Sequence, residues 1–149
     1  MVKNTEGRQE IALTVATFLL IVLWIYAALS KLLDFRHFTW EMRNQALPTF
    51  VQSLLIYLLP PLEILIAVLL MFQRTLVWGL QLSGILLFLF SGYVGLTLFH
   101  FFEYVPCSCG GILEHLSWGP HLAFNLAFLS ITVTALYITI RKGGAKAAA

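Results

Sequence analysis

Apolar residues in this chain gather into four long runs, covering residues 11–33, 51–72, 76–99 and 120–140. Each run reaches or exceeds about 20 residues, the length an α-helix needs to cross the roughly 30 Å hydrocarbon core of a bilayer. The pattern therefore predicts an all-α integral membrane protein, with four helices in an up-down-up-down bundle. The break between the second and third runs is only three residues, 73–75. Those two spans are expected to be antiparallel neighbours. Nothing in the pattern suggests a linker, a repeat or a second unit, so residues 1–149 read as one domain.

The polar stretches refine this picture. Residues 1–10 read as a short cytoplasmic tail, and residues 143–149 are small and featureless. The first run is too long for the apolar core of a cleavable signal, and no small-x-small site closes it. It is expected to stay as a membrane helix. Residues 34–50 alternate aromatic and charged side chains, among them Phe35, Arg36, His37, Phe38, Trp40, Glu41 and Arg43. Such a segment suits the headgroup boundary. It reads as an interfacial connector, or more sharply as a cover for the last loop or a docking surface. Pro60-Pro61 is expected to kink the second span or delay its start. Gly79, Gly84, Ser91, Gly92 and Gly95 read as small residues that let the third span pack closely.

Composition agrees, at 60% hydrophobic and 11% charged. The net charge of +2 is uninformative as a total and no nucleic-acid partner is expected, but the distribution of charge is informative. With the N-terminus in the cytoplasm, Lys3, Arg8, Arg74, Arg141, Lys142 and Lys146 fall inside, while only Lys31, Arg36 and Arg43 fall outside. The positive-inside rule then puts both termini in the cytoplasm and the last loop outside or in the periplasm, and a bacterial inner membrane is the expected location.

Polar groups inside apolar runs are expensive and face the bundle interior. Glu63 is one, and Lys31, at the outer end of the first span, is its natural partner. The pair reads as a structural clasp, with a proton or ligand role as the alternative. The fourth span opens Ser117-Trp118-Gly119-Pro120, where Ser117 or Gly119 can cap and Pro120 suits the first turn. His121 and Asn125 then share a helix face at i and i+4. They either hydrogen-bond each other or a neighbouring helix, or line a pocket beneath the last loop, able to bind a quinone carbonyl or stabilise a thiolate.

That loop carries the chain's two cysteines, in Pro106-Cys107-Ser108-Cys109-Gly110-Gly111. A disulfide across one intervening residue closes a small ring, which favours strain and easy reduction. It constrains almost no chain entropy, so a purely stabilising role is poorly motivated. A short helix over 111–116 would put Cys109 near a positive helix end, with His115 close by, lowering the thiol pKa as exchange requires. The periplasm also tolerates disulfides. The rival readings are Cu or Zn bound by the cysteines with His100, His115 or His121, and an assembly role without catalysis. No recognised zinc spacing is present, so no metal site is assigned.

Three segments carry a resemblance: Ala28-Leu29-Ser30-Lys31-Leu32, Pro61-Leu62-Glu63 and the cysteine segment. With these the chain resembles the DoxX-like membrane proteins and, within them, the MauE branch, named for a methylamine-utilisation protein. The resemblance implies a four-helix redox membrane protein that helps form disulfides in, or mature, exported proteins beside thioredoxin-like partners. It also implies that Cys107 and Cys109 are the exchanging pair. The chain departs from the expected pattern in having Gly110 where a Phe would fall. The expected function is thus a membrane thiol–disulfide oxidoreductase facing a periplasmic thioredoxin-fold partner. A single cysteine pair cannot run a two-disulfide relay, so electrons pass to a quinone near His121 and Asn125 or to another protein.

Overall fold

A computed structural model of the protein describes residues 2–99, 101 and 118–147. Regular structure among them is entirely helical: α1 (Val2–Leu33), α2 (Phe35–Arg43), α3 (Thr49–Met71), α4 (Leu76–Leu98) and α5 (Trp118–Ala147). Four stretches are long and apolar enough to cross a membrane: Gly7–Leu33, Thr49–Met71, Leu76–Leu98 and Gly119–Lys142. In lipid every backbone N–H and C=O must be satisfied internally, which apolar runs of this length achieve only as helices.

The two middle spans sit within two residues of their expected bounds. The outer two are longer than their apolar runs, because a nucleated helix continues through polar residues at little cost. The expected polar tail at 1–10 is therefore mostly helix, and α5 runs on to Ala147. Pro60 and Pro61 lie well inside α3 and do not delay its start. Pro60 is fully buried; prolines persist in spans because neighbouring groups and local adjustments re-satisfy the freed carbonyls.

The connector 34–50 contains α2, a helix the alternating pattern did not predict. Asp34 caps it, its Oδ1 accepting from the His37 N–H at 3.0 Å. At the other end the Asn44 N–H donates to the carbonyls of Glu41 and Trp40 at 3.1 and 3.2 Å. Phe38, Glu41 and Met42, spaced i, i+3 and i+4, form its buried face. Trp40 faces outward. The connector is thus partly an element of the bundle, packed on α3 and α1.

The four long helices close a ring, α1 packing on α3 and α5, and α4 on those same two. Leu20 and Trp24 of α1, Ile56, Leu59 and Ile66 of α3, and Leu80 and Leu87 of α4 form its centre. Across that centre the Trp24 indole Nε1 donates to Ser83 Oγ at 2.8 Å. Outward positions are large and apolar, including Phe18, Val22, Ile25 and Leu29 along one stripe of α1 and Trp78, Ile85 and Phe88 on α4. A bilayer selects that arrangement, since lipid tails accept leucine and phenylalanine as readily as a protein core does.

The turn between α3 and α4 is tight. Thr75 Oγ1 donates to the Leu69 carbonyl at 2.8 Å, satisfying an acceptor in the last turn of α3. A Cβ on Gly79 would meet the Leu70 backbone N at 3.0 Å and the Leu69 carbonyl carbon at 3.1 Å, so a larger residue fits only if the α3 backbone gives by a few tenths of an ångström. A Cβ on Gly84 would make ordinary contact with Thr132 Cγ2 at 3.6 Å. A Cβ on Gly92 or Gly95 would meet nothing within 4 Å among the described residues.

Candidate functional site

Lys31 and Glu63 meet inside the bundle. Glu63 lies fourteen residues past Thr49 and eight short of Met71, or about 21 Å and 12 Å along the helix axis. The lysine reaches it by folding back along its own helix, as helical side chains do. Its Nζ donates to Glu63 Oε1 at 2.9 Å and to the Ala27 carbonyl at 3.0 Å. The Phe38 ring of α2 lies over the ammonium, 5.9 Å from Nζ to the ring centroid, close enough for a cation–π attraction. The carboxylate is 1% exposed and the lysine side chain 11%. Glu63 Oε2 has no hydrogen-bond partner among the described residues.

A second polar layer joins α2, α3 and α4. Gln45 Nε2 donates to the Glu41 carbonyl at 3.1 Å, and its Oε1 accepts from the Tyr93 hydroxyl at 2.8 Å. Gln52 Nε2 donates to the carbonyls of Gln45 and Leu47 at 3.0 and 2.9 Å. This layer holds the turn between α2 and α3 and ties it to α4. It was not foreseen; the available signal was Gln52, an amide at the start of an apolar run, where it must find partners.

His121 and Asn125 occupy one face of α5, one turn apart, and both are buried, at 9% and 7% exposure. No hydrogen bond joins them among the described residues, so the expected mutual pairing is absent. His121 Nδ1 has no partner there, and neither does Ser91 Oγ of α4. The α5 N-terminus begins at Trp118, so Gly119 is inside the helix rather than capping it, and Pro120 falls in the first turn. There its missing N–H has no intrahelical acceptor to lose.

Cys107 and Cys109 lie outside the described residues, as do His100, His115 and Ser117. What the fold defines is the pair of ends that their segment joins. α4 finishes at Leu98, with the Phe101 N–H returning to the Leu96 carbonyl at 3.0 Å. α5 starts at Trp118, and the α4–α5 contact is the most extensive between any two helices. His121 and Asn125 occupy the first two turns after the segment.

One protein family, described as Methylamine utilisation protein MauE, has a sequence model that matches residues 9–138. The chain belongs to the MauE family. No curated protein and no solved structure matches the chain. The MauE match begins near the start of the first candidate span and ends within the fourth. It contains Lys31, Glu63, Cys107, Cys109, His121 and Asn125. For this MauE-family chain, a membrane protein, the candidate chemistry therefore lies wholly inside the matched region.

Proposed function

We propose that this MauE-family protein is a membrane thiol–disulfide oxidoreductase that exchanges disulfides with a thioredoxin-fold partner. The observation that carries this reading is that its two cysteines, Cys107 and Cys109, stand one residue apart in the polar segment joining α4 to α5, inside the family match. Oxidised, the pair accepts electrons. A partner thiolate attacks one sulfur, the Cys107–Cys109 bond breaks, and the released sulfur leaves as a thiolate that takes a proton. The partner's second thiolate then attacks the mixed disulfide, so the partner leaves oxidised and both cysteines leave reduced. The reverse sequence reduces a partner disulfide and leaves the pair oxidised.

A quinone is the proposed acceptor for the reduced pair: two electrons and two protons convert it to quinol as the disulfide re-forms. His121 Nδ1, buried and unpartnered among the described residues, and Asn125, one turn deeper, would offer polar contacts to its carbonyl. The positive-inside distribution supports an inner-membrane protein with both termini cytoplasmic and the cysteine segment periplasmic. The methylamine context of the family points to maturation of an exported protein as the use of such exchange.

Alkylation of the cysteines in intact membranes with an impermeant maleimide, with and without prior reductant, tests the reading. Labelling that requires reductant, followed by a trapped mixed disulfide in Cys107→Ser or Cys109→Ser, is the expected result. Free labelling without reductant and no trapped partner, or labelling released only by a chelator, overturns it. Unchanged exchange with a quinone analogue in His121→Ala with Asn125→Ala removes the quinone from the proposal.

A further inference from the structure

An open groove of about 580 Å³ runs between the N-terminal half of α1 and the C-terminal half of α5. Its volume lies within the roughly 300–1,000 Å³ of small-molecule sites. Ile11, Val15, Leu19, Ile131 and Ile138 supply apolar walls, and Arg8 lines its mouth. The hydroxyls in the wall are turned back onto their own helix: Ser130 Oγ donates to the Leu126 carbonyl and Thr134 Oγ1 to the Ser130 carbonyl, both at 2.8 Å. The wall therefore offers a guest little but hydrocarbon. Ile11 and Val15 are 67% and 51% exposed, so the surface has no cover from within the described chain.

The shape of the groove selects its occupant. From Arg8 to Leu19 is eleven residues of α1, about 16 Å, half the roughly 30 Å hydrocarbon thickness and so the depth of one leaflet. A partner helix would be about 10–12 Å wide and cross the whole thickness, whereas an acyl chain ends at the midplane. Charge selects the headgroup. Arg8 stands at the mouth, and Arg141 and Lys142 follow Ile138 by three and four residues on α5. Among the described side chains the facing carboxylate is Glu10, whose Oε1 is 3.4 Å from Lys142 Nζ. Among the described side chains, three cations against one anion leave the mouth positive.

We propose that this groove is a binding site for an anionic phospholipid, with one acyl chain between α1 and α5 and the phosphate at Arg8. The site is remote in sequence from the cysteine segment and does not depend on the redox reading.

Native mass spectrometry of the full chain, released from vesicles of equal phosphatidylglycerol and phosphatidylcholine with matched chains, tests it. The wild type should retain phosphatidylglycerol in preference. Arg8→Gln should lower that preference about fivefold, the factor one basic residue supplies near an anionic surface. Val15→Trp, which fills the groove, should lower retention of both lipids. Equal retention of the two lipids by the wild type overturns the proposal, as does an unchanged preference in Arg8→Gln. A lipid-free dimer that Val15→Trp dissociates also overturns it, by giving the groove to a second copy.

Discussion

Lys31–Glu63 and His121/Asn125 are both polar pairs buried in the same bundle, and they are built in opposite ways. The first pair is joined: two helices contribute one charge each, the ions meet at 2.9 Å through Glu63 Oε1, and an aromatic ring covers the ammonium, while Glu63 Oε2 has no partner among the described residues. The second pair is open: both residues come from one helix, no hydrogen bond joins them, and His121 Nδ1 has no partner among the described residues. A joined pair can hold helices together. An open one adds no such tie between helices, and its burial has a cost that no hydrogen bond among the described residues to His121 Nδ1 offsets. The contrast fits the proposed division of labour, a clasp at the first site and chemistry at the second.

Four measurements sharpen or break that contrast. The largest effect is expected for Glu63→Ala, which strands Lys31 and should cost about 3–5 kcal/mol, the range for removing one partner of a buried ion pair. Thermal unfolding in detergent reads it. Lys31→Met combined with Glu63→Leu should recover most of that loss, and a double variant as unstable as the single one would mean the pair does more than clasp. Next comes Gly79→Ala, whose added methyl meets backbone and should cost about 1–3 kcal/mol in the same assay. Tyr93→Phe removes the hydrogen bond from α4 to the α2–α3 turn and should cost only about 0.6 kcal/mol, the average for side-chain bonds between helices in membranes.

His121→Ala should have the smallest effect on stability, close to zero, because no described partner is left unpaired. Quinone-coupled disulfide exchange should nevertheless fall in this variant. A loss of stability comparable to that of Glu63→Ala would erase the distinction between the two sites.

Much of this architecture can be read from the chain because its signals are local. Apolar runs near 20 residues define α3 and α4 to within two residues, since lipid demands continuous apolarity over a set length. Lys31 and Glu63 stand out because a charge in such a run must find its opposite. The signals fail where the cause is tertiary. α2 is nine residues long with one buried face, and alone it would be too short to persist in water. It exists because Phe38 and Met42 pack into the bundle and Asp34 caps it, and an alternating aromatic and charged pattern describes the headgroup region equally well. Gln45 and Tyr93 are 48 residues apart, with no periodicity connecting them. His121 and Asn125 were legible as a shared face, but helical spacing alone did not reveal that they fail to pair.

The separation of Lys31 from Glu63 along the chain also has a consequence for biosynthesis. The lysine is made 32 residues before its counter-ion, an interval of roughly two to six seconds at about 5–20 residues per second. Throughout that interval the first span carries an unneutralised ammonium two residues from its end, and the long stem lets the charge wait at the water boundary. Final seating of the first helix is therefore postponed until the second span arrives. The ammonium then has a reason to leave water. The order of assembly is written into which of the two charges the ribosome makes first.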